Sequence, residues 1–132
     1  MMKNTRDIGF KGEDICCEYL ESIGFRILER NFLTRHGEID IIAEDERYIV
    51  FAEVKLRTIG DAPSRFGRPA LAVTKTKMKN IIYSAKIYLS AHPIDRSPRF
   101  DVIEVYTERL ENGKTKYRLK HLDAAFRLDD VR

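Results

Sequence analysis

The sequence has little cysteine and no long apolar run. Its only two cysteines, Cys16 and Cys17, are adjacent, which excludes a disulfide framework and the usual spacing of a zinc site. No apolar stretch approaches the roughly 18 residues that indicate a membrane span. The N-terminal MMKNTRDIGF lacks the apolar middle of a signal peptide, and the sequence contains no internal repeat or linker. These absences predict a cytoplasmic protein in which residues 1–132 form one domain.

Charge is abundant, and it is unevenly distributed along the chain. Residues 1–54 hold seven Lys or Arg against twelve Asp or Glu, which gives a net charge of −5. Residues 55–99 hold ten against two, a net +8, and residues 100–132 hold seven of each. A basic middle segment predicts an anionic partner near residues 55–99, although a solvated basic face would look the same.

Periodicity and turn signals predict the order α-β-β-β-α-β-β. The predicted ranges are helix 8–23, strand 25–32, a hairpin over 37–57, a loop over 56–72, helix 74–91, and strands 99–106 and 115–122. Gly24 is placed to end the first helix and Thr74 to cap the second. Asn112-Gly113 predicts the turn of a second hairpin, and Asp123 is placed to cap a short last helix. We therefore expect an α/β fold, a mixed central β-sheet flanked by helices on both sides.

The first hairpin, GEIDIIAEDERYIVFAEVKLR, carries charged residues inside apolar strands. If EDER forms the turn, Ala43 opposes Tyr48 and Asp40 opposes Phe51. In that register the four charged residues Glu38, Asp40, Glu53 and Lys55 all lie on one face. The other face carries the core candidates Ile39, Ile41, Val50, Ala52 and Val54. A slip of one residue would separate the charged pairs, so the interpretation depends on the register.

These carboxylates are candidates to hold a metal ion. Burying unpaired charges costs several kcal/mol or more, and a divalent cation would offset that cost. Carboxylate oxygens are the ligands that Mg²⁺ prefers, and Glu13 on the first helix is placed to join Asp40 and Glu53. Gly12 would let that helix approach the sheet closely. The alternative is an ordinary structural ion pair between Lys55 and a carboxylate.

Several segments together resemble a known family. GFKGEDICCEYLESIGFRILERN, GEIDIIA, FAEVKLR and RFDVIEV are similar to the YraN-like family of uncharacterised bacterial proteins, over about residues 8–106. Asp40 followed by Glu53-Val54-Lys55 resembles the PD-(D/E)xK nuclease superfamily, with Ile39 where the superfamily name has proline. The resemblance implies the restriction-endonuclease-like fold and a likeness to archaeal Holliday junction resolvases. It also implies Mg²⁺- or Mn²⁺-dependent endonuclease chemistry on DNA, which is branched in the resolvases, and a homodimer.

The resemblance also implies a role for each site residue. Asp40 and Glu53 would ligate the metal directly with the Val54 carbonyl, and Glu13 would bind it directly or through water. Lys55 would orient the attacking water, and Glu38 is a candidate for the outer coordination sphere. Basic side chains of the middle segment would contact DNA phosphates, namely Arg57, Arg65, Arg68, Lys75, Lys77 and Lys79.

Two other functions remain compatible with the sequence. A non-enzymatic nucleic-acid-binding module would keep the basic segment without needing Glu53 and Lys55 together. An interaction protein that uses the fold as a scaffold would explain neither charged cluster.

Overall fold

The computed structural model describes residues 5–58 and 74–127, in the predicted order of elements. The elements are α1 (Thr5–Ser22), β1 (Arg26–Thr34), β2 (Gly37–Glu44), β3 (Tyr48–Thr58), α2 (Lys75–Ala91), β4 (Ser97–Arg109) and β5 (Thr115–Phe126). Gly24 follows α1 with φ +97°, a conformation that glycine adopts without strain. The Thr74 side chain accepts a hydrogen bond from the Lys77 N–H at 3.1 Å, which confirms the predicted cap. Neither described helix combines the length and apolarity needed to cross a membrane.

The five described strands form one mixed sheet in the order β1-β2-β3-β4-β5. β3 and β4 are parallel and are connected through α2, whereas the other neighbours are antiparallel. The predicted turn at Asn112-Gly113 joins β4 to β5, and Gly113 has φ +82°. The Leu110 N–H donates to the Lys114 carbonyl at 2.8 Å to close this hairpin. β1 and β5 are therefore the edges, and β3 is central.

A hydrophobic core lies on each face of the sheet. The α1-side core packs Cys16, Cys17 and Leu20 against strand residues that include Ile41, Val50, Ala52, Ile103 and Val105. The α2-side core packs Ile81, Ile82, Ala85 and Tyr88 against Ile42, Phe51, Phe100 and Val102. Each fully buried large side chain contributes about 1.5–3 kcal/mol. Burial raises the pKa of the Cys16 thiol to about 12, so this cysteine packs as an apolar group.

The register of the first hairpin differs from the predicted one by two residues. Ala43 pairs with Val50 and not with Tyr48. The cause is Asp45, whose carboxylate accepts the N–H groups of Arg47 at 2.8 Å and Tyr48 at 2.7 Å, so that the turn spans 45–48. Because side chains alternate with a period of two, this shift keeps the residues of β3 on their predicted faces.

Two other predictions are wrong in detail. Asp123 caps no helix but lies within β5, which continues to Phe126. The strand is distorted at Ala124, with φ +49°, and then resumes because Phe126 stacks on Phe100 at 5.0 Å. In β2, Ile39 belongs to the α2-side core and Ile41 to the α1-side core, although residues two apart in a regular strand share a face. β2 is therefore irregular at the intervening residue, Asp40.

Candidate metal centre

The candidate site lies where β2 separates from β3. The two strands pair from Glu44↔Ile49 to Ile41↔Ala52, whereas β2 pairs with β1 along its whole length, from Glu44 to Gly37. Asp40 is the residue next to the end of the pairing between β2 and β3. Its Oδ2 accepts a hydrogen bond from the Val54 N–H at 2.8 Å. The carboxylate of Asp40 is thus held at the opening between the two strands by a backbone group of β3.

β1 contributes to the irregularity at Asp40. Asn31 lies between Arg30 and Phe32, which pair with Ile41 and Ile39, so it faces Asp40 across the ladder. Its φ is +53°, a left-handed conformation that asparagine tolerates better than most residues. Burial raises the pKa of Glu13, and the Asn31 side chain acts in the opposite direction. A residue of the edge strand thereby favours the ionised form of an acidic side chain of the site.

Three carboxylates converge at this opening. Glu13, Glu38 and Asp40 each offer one oxygen, and these three oxygens lie within 4.8 Å of one another. α1 brings Glu13 there because it passes close to β3 at Gly12. A Cβ on Gly12 would lie 2.5 Å from Leu56 Cδ2, so the predicted close approach through this glycine is present. A group of oxygens at this separation can be bridged by one cation.

The acidic cluster carries negative charge that Arg30, whose Nη2 lies 3.7 Å from Oε2 of Glu13, compensates only in part. Burial, together with the neighbouring charge of Glu53, raises the pKa of Asp40 to about 7, against the opposing effect of the Val54 N–H. Burial also raises the pKa of Glu13, although Asn31 and Arg30 favour its ionised form. Carboxyl groups that resist ionisation at neutral pH indicate a place where a cation would be stabilised. The donors and the electrostatics of this cluster therefore fit a hard divalent cation.

Glu53 lies beside this cluster but is engaged by lysines. Its buried Oε1 contacts the ammonium of Lys77 and lies 3.6 Å from the ammonium of Lys55. Burial, followed by the ammonium of Lys77, lowers the pKa of Lys55. For Lys77, burial acts in the same direction, but hydrogen bonds with Glu53 and Lys55 outweigh it and raise the pKa. Of the two lysines, Lys55 is therefore the one that loses its proton more readily.

The position of Lys77 was not anticipated from the sequence. We predicted it to grip DNA from the start of the second helix, and the structure places it in the first turn of α2 against Glu53. The Thr74 cap fixes this turn, and it was visible in the sequence. The contact itself joins residues 24 positions apart across segment 59–73, and periodicity carries no information on such a contact.

The remaining predicted phosphate contacts are dispersed. Lys75 and Lys79 are exposed on the first turns of α2. The Arg57 Nε lies 3.4 Å from Oε2 of the buried Glu104, so this arginine is already ion-paired. Arg65 and Arg68 lie outside the described residues. Val54 enters the site through its N–H, and the role of its carbonyl as a ligand stays a prediction.

Comparisons with known proteins match this chain to one protein family. A family model described as "Uncharacterised protein family UPF0102" matches residues 12–105, from Gly12 in α1 to Val105 in β4. A UPF0102 protein of Syntrophomonas wolfei is 40% identical over 123 residues, which cover 92% of this chain and 99% of the relative. A UPF0102 protein of Clostridium perfringens strain 13 is 42% identical over 129 residues, 97% of this chain and 100% of the relative. The matched segment contains Glu13, Asp40, Glu53 and Lys55.

Proposed function

We propose that this chain, which belongs to the uncharacterised protein family UPF0102, is a metal-dependent nuclease that hydrolyses phosphodiester bonds in DNA. The observation that carries the proposal is a carboxylate cluster in which the pKa of Asp40 is raised to about 7, next to a partly buried lysine, Lys55. Metal-dependent phosphodiester hydrolysis needs these two elements, a place for a cation and a group that acts on the attacking water. The resemblance of Asp40 and Glu53-Val54-Lys55 to PD-(D/E)xK nucleases supports the same chemistry.

Asp40 is the central ligand in this proposal. Glu13 and Glu38 approach it from one side, and Glu53 acts on it electrostatically from the other. Oxygen donors of this kind suit Mg²⁺ or Mn²⁺. A cation held there would polarise a phosphoryl oxygen and lower the pKa of a bound water. The Val54 N–H holds the Asp40 carboxylate in place through its hydrogen bond to Oδ2.

Lys55 acts on the attacking water in this proposal. It shares a face of β3 with Glu53, and its lowered pKa lets it exchange a proton closer to neutral pH than an ordinary lysine. Its positive form would stabilise the charge that develops on the phosphoryl oxygens. Lys77 supplies a second positive charge at the same point and holds Glu53 in place.

A cleavage assay with single-stranded, flapped and four-way DNA, with and without Mn²⁺, tests the proposed function. We expect Mn²⁺-dependent cleavage of at least one of these substrates, abolished by EDTA and by Asp40→Asn. Asn can still accept the Val54 N–H bond, so this variant removes the charge and keeps the contact. Glu46→Gln is the matched control because Glu46 is an exposed carboxylate in the turn of the first hairpin. DNA binding without metal-dependent cleavage would instead support the non-enzymatic binding module.

A further inference from the structure

β5 presents a row of cations on one face. Lys116, Arg118 and Lys120 are exposed, and they alternate with Tyr117, Leu119 and His121, which are partly buried. Tyr117 and Leu119 pack against the α1-side core, so the three cations point to the face that carries α2 and Lys55. None of the three forms an ion pair with a residue in the described part of the chain, whereas Arg57 and Lys77 do.

The strand registers connect this row to the candidate metal centre. Lys55 pairs with Glu104, which pairs with Lys120. Two residues further along β3, Arg57 pairs with Tyr106, and Tyr106 pairs with Arg118. Neighbouring strands lie about 4.8 Å apart, so the backbone of β5 lies about 10 Å from that of β3. Paired residues share a face, and the cations therefore lie on the same surface as Lys55.

The acidic residue between the two strands does not cancel this surface charge. Glu104 is buried, accepts a hydrogen bond from the Tyr106 hydroxyl at 3.1 Å, and is paired with Arg57. Glu108 stands opposite Lys116 and offsets part of its charge. The positive charge of this surface therefore comes mainly from Arg118 and Lys120. A surface pocket of about 370 Å³ is lined by Tyr106, Arg118, Leu119 and Lys120.

We infer that Arg118 and Lys120 bind backbone phosphates of the DNA strand on one side of the cleaved bond. This inference rests on the proposed function, because the candidate metal centre fixes where the cleaved phosphate lies. Along the axis of duplex DNA one nucleotide advances a strand by about 3.4 Å, so a span of about 10 Å along that axis corresponds to roughly three nucleotides. Arginine binds phosphate through two parallel hydrogen bonds, and lysine adds a point charge. Such contacts give affinity without sequence preference.

Salt-dependent binding of a fluorescent 30-nucleotide single-stranded DNA tests the inference. The measurements use the Asp40→Asn background, which prevents cleavage and removes one repulsive charge. We expect Arg118→Ala with Lys120→Ala to weaken binding about tenfold at low salt. The slope of log affinity against log salt should fall by about 1.4, because each lost phosphate contact contributes about 0.7 for single strands. The charge-preserving pair Arg118→Lys and Lys120→Arg should keep the salt slope of the background.

The matched control removes two exposed cations elsewhere. Arg47 lies in the turn of the first hairpin and Lys86 on the outer side of α2, so Arg47→Ala with Lys86→Ala changes the net charge equally. If the β5 variant matches this control while the wild type cuts DNA, the inference is wrong and the proposed function stands. If the wild type neither binds nor cuts DNA, both are overturned. A third outcome would also overturn the inference. If the β5 variant binds DNA more weakly than its background but the wild type cuts no DNA, there is no cleavage site beside which the cations could act.

Discussion

Replacing Asp40 with asparagine should stabilise the metal-free protein at neutral pH. The pKa of Asp40 in the folded protein is about 7, against an ordinary value of 3.8, through burial and the charge of Glu53. Between these two pH values the folded state holds a proton that the unfolded state has already lost. The contribution of Asp40 to the free energy of unfolding therefore falls as pH rises from about 4 to 7 and stays low above that.

The size of the effect follows from the pKa difference. About three pKa units correspond to about 4 kcal/mol. This is an upper limit because Asp40 is only partly buried and Glu53 shares the repulsion. We expect Asp40→Asn to gain about 1–3 kcal/mol at pH 8 and less than half of that at pH 5, where the wild-type carboxyl is mostly protonated in the folded state. The amide can still accept the Val54 N–H bond, so packing changes little.

Urea unfolding followed by circular dichroism in EDTA, at pH 5 and pH 8, measures both values. Adding Mn²⁺ at one hundred times its dissociation constant should stabilise the wild type by about 2.7 kcal/mol and leave the variant unchanged. Asp45→Asn is a control of opposite sign. Burial of Asp45 is outweighed by the N–H groups of Tyr48 and Arg47, which lower its pKa, so this variant should lose stability. An Asp40→Asn protein that gains nothing at pH 8 would refute the electrostatic argument.

Three further predictions concern the rest of the site and the fold. Lys55→Met should still bind Mn²⁺ and DNA but should cleave DNA on the order of 10²–10³ times more slowly. Single-turnover cleavage at saturating Mg²⁺ measures this rate. An unchanged rate would exclude a role of Lys55 on the attacking water. Glu38→Gln and Glu53→Gln should each weaken Mn²⁺ binding measured by calorimetry. If Glu53→Gln binds Mn²⁺ with unchanged affinity, the ligands are Glu13, Glu38 and Asp40, without Glu53. Asp101→Asn should cost about 3–5 kcal/mol in urea unfolding at pH 7, because it leaves the partly buried Arg99 without the fully buried carboxylate that it contacts through two nitrogens. The effect of burial on the pKa of Asp101 is outweighed by His121, Arg99 and the Ala124 N–H, so this pKa is lowered. The contribution of Asp101 to stability should therefore be lost as pH falls below about 4. A variant as stable as the wild type at pH 7 would contradict this account.

Local signals in the sequence predicted most of the fold. The periodicity of α1 and α2, the Thr74 cap and the Asn112-Gly113 turn depend on residues close in the chain, and the structure has all of them. The register of the first hairpin was predicted two residues away because the turn is set by hydrogen bonds to the Asp45 side chain. Hydrophobic alternation cannot detect a shift of two, since it leaves every residue on the same face.

The parts of the site that the sequence did not predict depend on distant contacts. Periodicity placed Glu38, Asp40, Glu53 and Lys55 on one face. The structure instead groups Glu38 and Asp40 with Glu13, and it sets Glu53 against two lysines. Because Ile39 belongs to the α2-side core, its neighbour Glu38 points to the other face, where α1 brings Glu13. The contact of Lys77 with Glu53 depends on how α2 crosses the sheet, which local patterns do not specify.

The sheet topology explains why apolar strands carry these charges. β3 is the central strand, and its pairing with β2 extends only to Ala52. Its pairing with β4 continues to Thr58↔Thr107. Glu53, Lys55 and Arg57 therefore lie on a part of β3 that pairs with β4 on one side and no longer pairs with β2 on the other. The opening beside β3 is the place where ionised side chains can be rigidly held without full desolvation. A parallel β3–β4 pair, with β2 leaving early, therefore positions carboxylates and lysines together without requiring a loop to hold them.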